Sequence, residues 1–130
     1  MSARIAGGCH CGACRYETEA EPINVRACHC RACQKVSGGP FYARVLVPAE
    51  RVRISGPVGW YASSADLRRG FCTRCGATLF SERASLGAIG LSMGTLDDPD
   101  RFQPAEHIWV SGMQRWLRLD DSLPRYPEGA

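Results

Sequence analysis

The chain has no long apolar run, and no cysteine follows Cys75 in its 130 residues. No stretch approaches the roughly 20 apolar residues of a membrane span, so the sequence predicts no membrane partner. The first twelve residues lack the apolar core of a secretory signal, and we therefore expect a cytoplasmic protein. The absence of late cysteines argues against a reductase whose nucleophilic thiol lies on a late strand.

Clustered charge of one sign is also lacking. The formal net charge is +3, and the sixteen basic residues are dispersed, with Lys35 the single lysine among arginines. Because metal sites bind thiolates, seven metal-bound cysteines with two divalent ions would bring the net charge close to zero. The charge therefore indicates no nucleic-acid partner.

Cysteine, by contrast, is abundant. The eight cysteines form three tight groups: Cys9/Cys11/Cys14, Cys28/Cys30/Cys33 and Cys72/Cys75. Since the cytosol keeps thiols reduced, metal binding or redox chemistry is a better interpretation than disulfide bonds.

The hydrophobic pattern has a period of mostly two, which is typical of β-strands. Gly, Pro, Asp and Ser turns separate the predicted strands, which cover 3–9, 14–20, 41–48, 51–55, 59–64, 67–73, 77–82, 87–94 and 107–112. Helix signals are confined to 30–37 and to a short turn near 113–119. We predict one mainly β, antiparallel domain over residues 1–130 with little helix.

The spacing of the cysteines leaves several metal sites open. Zinc favours four ligands in a tetrahedron, and a C-x-x-C pair such as Cys72/Cys75 supplies half of such a site. The pair could complete its site with Cys9 and Cys11, whose flanking glycines let the backbone fold around an ion. Cys14 would then be a spare thiol, and Cys28, Cys30 and Cys33 would form a site with an open fourth position.

Other groupings of these thiols remain open. The Cys72/Cys75 pair could be divided between the two triplets, or both sites could be purely structural, with Cys14 or an outside group completing the second. An iron–sulfur cluster is a further alternative, although the C-x-x-C-x-x-C run of ferredoxins is absent.

Four segments together resemble a known family. They are "GGCHCGACRYE" (7–17), "ACHCRACQKVSGG" (27–39), "GFCTRCGATLF" (70–80) and "EHIWVSGMQRWLRLDDSLPRY" (106–126). In this order and spacing they are similar to the glutathione-dependent formaldehyde-activating enzymes, a family that also contains centromere protein V. The resemblance spans nearly the whole chain and implies a zinc-stapled, mainly antiparallel fold of the β-tent type.

The resemblance also implies the metal ligands and the reaction. It assigns two zinc ions per chain, one structural and one of catalytic type. The structural ligands would be Cys9, Cys11, Cys72 and Cys75; the catalytic-type ligands would be Cys28, Cys30 and Cys33. The family activity is that of a carbon–sulfur lyase, which forms or cleaves S-hydroxymethylglutathione, so the partners would be a small thiol such as glutathione and an aldehyde. The alternative is a non-catalytic, zinc-stapled binding or scaffold module.

The segment 36–40, the histidines and the edge strands also have predicted roles, some of them with two interpretations. The amides of 36–40 could cradle a carboxylate of the thiol, or simply form a turn that ends a short helix. His29 could shuttle a proton or hydrogen-bond behind the ligands, and His107 is predicted to be packed and hydrogen-bonded. Exposed edge strands would permit a homodimer.

Overall fold

The chain folds into ten β-strands and one α-helix over residues 4–129, the part that this computed structural model describes. The strands are β1 (Ile5–Gly8), β2 (Arg15–Thr18), β3 (Asn24–Cys28), β4 (Tyr42–Pro48), β5 (Val52–Ser55), β6 (Val58–Ala62), β7 (Leu67–Cys72), β8 (Thr78–Arg83), β9 (Ala88–Ser92) and β10 (Glu106–Ile108). The helix α1 spans Arg31–Ser37, and single 3₁₀ turns cover Ala49–Arg51, Ala84–Leu86, Met93–Thr95 and Val110–Gly112.

Two sheets are formed from these strands. The smaller has three antiparallel strands in the order β1-β2-β5, and the larger has seven in the order β10-β3-β4-β9-β8-β7-β6. All pairs in the larger sheet are antiparallel except β10 with β3, which is parallel. A parallel pair requires a long connection, and here nearly the whole large sheet lies between the two strands in sequence.

The hydrophobic core lies between the sheets. Ile5 and Tyr16 contribute to it from the small sheet, and Val45, Phe80 and Leu91 from the large one. The rings of Tyr16 and Phe80 meet edge to face, with centroids 5.3 Å apart. The period-two pattern in β4 and β9 thus sends alternate apolar side chains to this core.

The other face of the large sheet is more polar. Cross-strand pairing places Leu46 opposite Gly90, Gly90 opposite Ser81, and Ser81 opposite Arg69, so these residues form one row across four strands. Arg44 is two residues from Leu46 on β4 and therefore projects from the same face. This face borders the second cysteine triplet.

The helix α1 is short and defined by its ends. The Cys30 side chain is its N-cap and accepts a hydrogen bond from the Cys33 N–H at 3.3 Å. Gly38 ends it in the left-handed conformation (φ 72°), where glycine carries no steric penalty.

The mainly β fold with little helix is confirmed, and each predicted strand segment overlaps a strand, although Ala3 lies outside the described residues. The segment 107–112 was predicted too long, because β10 ends at Ile108 and a 3₁₀ turn covers Val110–Gly112. Two expectations were incomplete. The strand β3 was missed, and the sheet is not wholly antiparallel because β10 joins it in parallel. The domain limits 1–130 stay a prediction, with residues 1–3 and 130 outside the described part.

In the described part of the chain, no helix has the length and apolarity needed to cross a bilayer.

Candidate metal centres

The first cysteine group joins the two sheets. Cys9 and Cys11 lie in the loop between β1 and β2, while Cys72 ends β7 and Cys75 lies in the turn to β8. The four Sγ atoms lie within 4.8 Å of one another. Two of the separations are 3.6 Å (Cys9–Cys11) and 3.8 Å (Cys11–Cys72). A tetrahedral zinc with 2.3 Å bonds to sulfur requires about 3.8 Å between sulfurs, so this donor set fits a metal ion.

Backbone amides point at the sulfurs of this group. The Cys14 N–H lies 3.2 Å from Cys9 Sγ and lowers the pKa of that thiol to about 6. The Cys75 N–H (3.4 Å), followed by the Arg74 N–H (3.3 Å), lowers the pKa of Cys72. Hydrogen bonds to the charged form favour it, so the loops stabilise the thiolates that a metal needs.

Cys14 lies outside both sulfur groups. It is 1% exposed, and burial raises the pKa of its thiol to about 12. Its backbone holds Cys9 in place from both sides, since the Cys9 N–H also donates to the Cys14 carbonyl at 3.1 Å. Its position agrees with the predicted spare thiol.

The second group contains three cysteines. Cys28 ends β3, Cys30 caps α1 and Cys33 lies in the first turn, which brings their Sγ atoms within 4.8 Å of one another. Among residues 4–129, no fourth His, Cys or carboxylate joins this group. Hydrogen bonds from the Cys28 and Cys33 thiols lower the pKa of Cys30. The hydrogen bond between Cys28 and Cys30 raises the pKa of Cys28. The three sulfurs together could hold a metal.

A cavity of about 370 Å³ opens on these three sulfurs. This volume is at the lower end of the range for small-molecule sites, about 300–1,000 Å³. Its wall includes Tyr42, Arg44 and Arg69 from the polar face of the large sheet. Ile108, which ends β10, and Trp109, which follows it, also line the cavity.

The three tryptophans have different environments. Trp109 lies on the cavity wall with a left-handed backbone (φ 57°), which is strained for a non-glycine residue. Trp60 stacks on Phe80 at 5.9 Å on the core side, and Trp116 is 65% exposed with its indole N–H on Gln114. Of the three, the structure places Trp109 beside the second sulfur group.

The two histidines near the second group form a chain of hydrogen bonds. His29 is fully buried, and its Nε2 lies 2.9 Å from His107 Nδ1. The His107 Nε2 lies 2.7 Å from a carboxylate oxygen of Asp121. Burial lowers the pKa of His29, whereas the hydrogen bond from His107 lowers that of Asp121. His29 is thus a hydrogen-bonding residue behind the ligand loop, and His107 is packed and hydrogen-bonded as predicted.

The segment 36–40 has the simpler of its two predicted roles. The Gly38 N–H donates to the Gln34 carbonyl at 2.8 Å, and the Gly39 N–H donates to Ser37 Oγ at 3.2 Å. Because these amides already have partners, the segment is a helix cap and not a carboxylate cradle.

Sequence reasoning missed Arg44, Arg69, Gln34 and Asp121. Only Arg44 had a local signal, since a charged residue interrupts the otherwise apolar strand β4. The others gain their positions from pairings distant in sequence: Arg69 meets Cys33 across 36 positions, and Gln34 meets Gly112 across 78.

The fold and the two sulfur groups define a small β protein with two candidate metal centres, one bordered by a cavity. Comparison with known proteins gives the family. The family model described as "Glutathione-dependent formaldehyde-activating enzyme" matches residues 4–112. The chain therefore belongs to this family.

Similar proteins cover different shares of the chain. A Schizosaccharomyces pombe protein named an uncharacterized lyase is 35% identical over 74 residues, 57% of this chain and 54% of its own length. The chain thus spans about half of that relative. A Halomonas elongata protein, provisionally named a glutathione-dependent formaldehyde-activating enzyme, is 25% identical over 127 residues, 89% of this chain and 81% of its own.

The fold also has a counterpart among solved structures. The crystal structure of a Rhodobacter sphaeroides protein superposes with a TM-score of 0.61 at 19% identity, covering 93% of this chain and 98% of that chain. At this identity the likeness shows the fold alone.

Proposed function

We propose that the protein is a zinc-dependent carbon–sulfur lyase that forms or cleaves adducts of a small thiol with an aldehyde. S-hydroxymethylglutathione, made from glutathione and formaldehyde, is the adduct that the family name indicates. In the forward direction the S–H bond and the C=O π bond break, a C–S bond forms at the carbonyl carbon, and the carbonyl oxygen gains a proton to become the hydroxyl. No electrons are gained or lost overall.

One observation carries the proposal: a three-sulfur group without a fourth donor among the described residues opens on a cavity of about 370 Å³. A zinc ion held there by Cys28, Cys30 and Cys33 would supply an open position at which a thiol is held as its thiolate near neutral pH. The first group, with four sulfurs from Cys9, Cys11, Cys72 and Cys75, would hold a zinc that only stabilises the fold.

The chain's own residues prepare the second site. The Cys33 N–H at the start of α1 donates to Cys30 Sγ and stabilises its negative charge. Apolar Ile108 and Trp109 on the cavity wall limit water around the reacting groups. Arg69 Nη2 lies 3.8 Å from Cys33 Sγ and offsets the negative charge of the thiolates.

The test combines metal content with an exchange assay. We expect two zinc ions per chain, and by NMR we expect the protein to accelerate exchange between glutathione, formaldehyde and their adduct. Cys30→Ser should bind one zinc, remain folded and lose the acceleration. Its matched control, Cys11→Ser, removes a ligand from the other group and should lower the melting temperature.

Two outcomes would contradict the proposal. Unchanged exchange with the fully zinc-loaded protein would remove the enzymatic function. Unfolding of Cys30→Ser would show that the second metal only stabilises the fold, as in a scaffold module.

A further inference from the structure

The floor of the cavity is the polar face of the large sheet. Gly90 on β9 pairs with Leu46 on β4 and with Ser81 on β8, both of which line the cavity. A Cβ at Gly90 would lie 2.8 Å from Arg44 Cδ and 2.5 Å from Ser81 Oγ. Because Gly90 has no side chain, the aliphatic part of the Arg44 side chain can pack against β9, while its guanidinium reaches Asn24 on β3.

Arg69 is a buried cation that pairs with no carboxylate in the described part of the chain. It is 5% exposed, its Nε donates to Ser63 Oγ at 3.2 Å, and its Nη2 contacts Cys33 Sγ at 3.8 Å. A guanidinium has five N–H donors, and burying one is costly unless an anion compensates for the lost water. Its only anionic neighbour in the described structure is therefore the thiolate group.

Arg44 is a second cation of this kind. It is half-buried, and its Nη1 donates to the neutral Asn24 side chain at 2.9 Å. Burial, with the like charge of Arg26, lowers the pKa of Arg44. Arg26, which lies on β3 opposite Arg44, is paired with Glu106 at 2.5 Å. A carboxylate therefore neutralises Arg26, whereas the hydrogen-bond partner of Arg44 in the described structure is the neutral Asn24.

The charge of the cavity wall favours an anion. Among residues 4–129, no Asp or Glu lines the cavity, and its third arginine, Arg83, pairs with Asp66 at 3.4 Å. Three thiolates with one divalent ion carry one negative charge, and a substrate thiolate as the fourth ligand would bring it to two, which the guanidiniums of Arg44 and Arg69 balance. A carboxylate of the occupant would then meet guanidinium N–H donors that no Asp or Glu of the described cavity wall occupies.

We propose that Arg44 and Arg69 bind a carboxylate of the thiol substrate and so select carboxylated thiols over neutral ones. This inference rests on the proposed function for the identity of the occupant. It adds the residues that determine which thiols are accepted. Guanidinium groups suit this task because their planar N–H pairs match a carboxylate.

The first test compares two thiols on the zinc-loaded wild-type protein without aldehyde. Isothermal titration should give a dissociation constant for glutathione about 10- to 100-fold smaller than for glutathione diethyl ester, which keeps the thiol but has no carboxylate. Equal constants would overturn the proposal. Since no variant is involved, the result does not depend on how a substitution affects folding.

The second test assigns the effect to residues. Arg44→Gln and Arg69→Gln should each weaken glutathione binding while leaving the constant for the diethyl ester within about twofold, so that the losses are specific to the carboxylate. Arg53→Gln is the matched control: Arg53 is exposed on β5 of the small sheet, does not line the cavity, and its substitution should change neither constant. Equal weakening of both ligands would show that the arginines act on the thiol site as a whole, which also overturns the proposal.

The carboxylate-site proposal and the lyase proposal can each fail while the other stands. If carboxylate-dependent binding occurs but aldehyde exchange is not accelerated, the lyase proposal fails and the anion site stands. If exchange is accelerated equally for glutathione and its diethyl ester, the lyase proposal stands and the anion site fails.

Discussion

His29 shows how a single residue is determined by its surroundings. An ionised Asp121 can only accept a hydrogen bond, so the His107 Nε2 carries a proton and donates to it. The His107 Nδ1 then accepts from the His29 Nε2–H. Burial lowers the pKa of His29 and so favours its neutral form, and its buried Nδ1 has no hydrogen-bond partner in the described structure.

At this scale, we expect Asp121→Ala to lower the melting temperature near pH 7, because it removes the acceptor for His107. The pKa of Asp121 is lowered in the folded state by the hydrogen bond from His107. Its contribution to stability is therefore present above its unfolded pKa, about 3.9, and is lost as the pH falls through the folded value.

Thermal denaturation as a function of pH checks this. The exposed neighbour Asp120 supplies the control, Asp120→Ala, which corrects for acid effects that all variants share. The difference between the two variants should narrow as the pH falls below about 4. A difference that stays constant at low pH would mean that the carboxylate charge is not what stabilises the histidine pair.

The helix α1 illustrates the scale of the element. With seven residues it is too short to be stable alone, so tertiary contacts must hold it. Gln34, 3% exposed, provides them: its Nε2 donates to the His29 carbonyl at 2.7 Å and to the Gly112 carbonyl at 2.8 Å. The helix is thereby fixed to the segment that follows β10, beside the second sulfur group.

We expect Gln34→Ala to reduce the free energy of unfolding by about 1–3 kcal/mol, because two carbonyl groups lose a buried donor. Urea denaturation measures the change. Lys35→Ala, an exposed substitution in the same helix, is the control and should stay within about 0.5 kcal/mol of the wild type. Equal stability of the two variants would exclude Gln34 as the link between α1 and the Val110–Gly112 turn.

The first sulfur group acts at the scale of the whole molecule. Cys9 and Cys11 belong to the loop of the small sheet, and Cys72 and Cys75 follow a strand of the large one. Cys11 and Cys72 are 61 positions apart in the chain. A metal bound by these four sulfurs would close that long loop and fasten the two sheets at one end of the shared core.

Removal of metal from the wild-type protein should therefore lower its stability. At free zinc about 1,000-fold above the dissociation constant, binding contributes about 4 kcal/mol to folding. We expect calorimetry after chelation to show a lower melting temperature, with recovery when zinc is added back. Cys11→Ser should respond less to chelation than Cys14→Ser, whose thiol lies outside both groups. An unchanged melting temperature after complete removal of metal would contradict this role.

Local pattern was sufficient for most of the strands. The local pattern identified β4 and β9 as strands, and the structure then showed which of their side chains face the core. The strand β3 escaped because Asn24 and Arg26 interrupt its apolar residues and because it leads directly into the cysteines. The parallel partner of β3 was also missed, since pairing direction depends on the path of the chain between the strands.

The sequence by itself determined the β class and, with the help of family resemblance, which thiols meet: two groups of sulfurs lie together as the spacing and the resemblance implied. Only the tertiary structure decided what surrounds them. Residues from separate strands and loops meet in three places: at the arginines of the cavity, in the histidine chain to Asp121, and in the hydrogen bond from Gln34 to Gly112. Such contacts follow from strand register and sheet order, which no local pattern encodes.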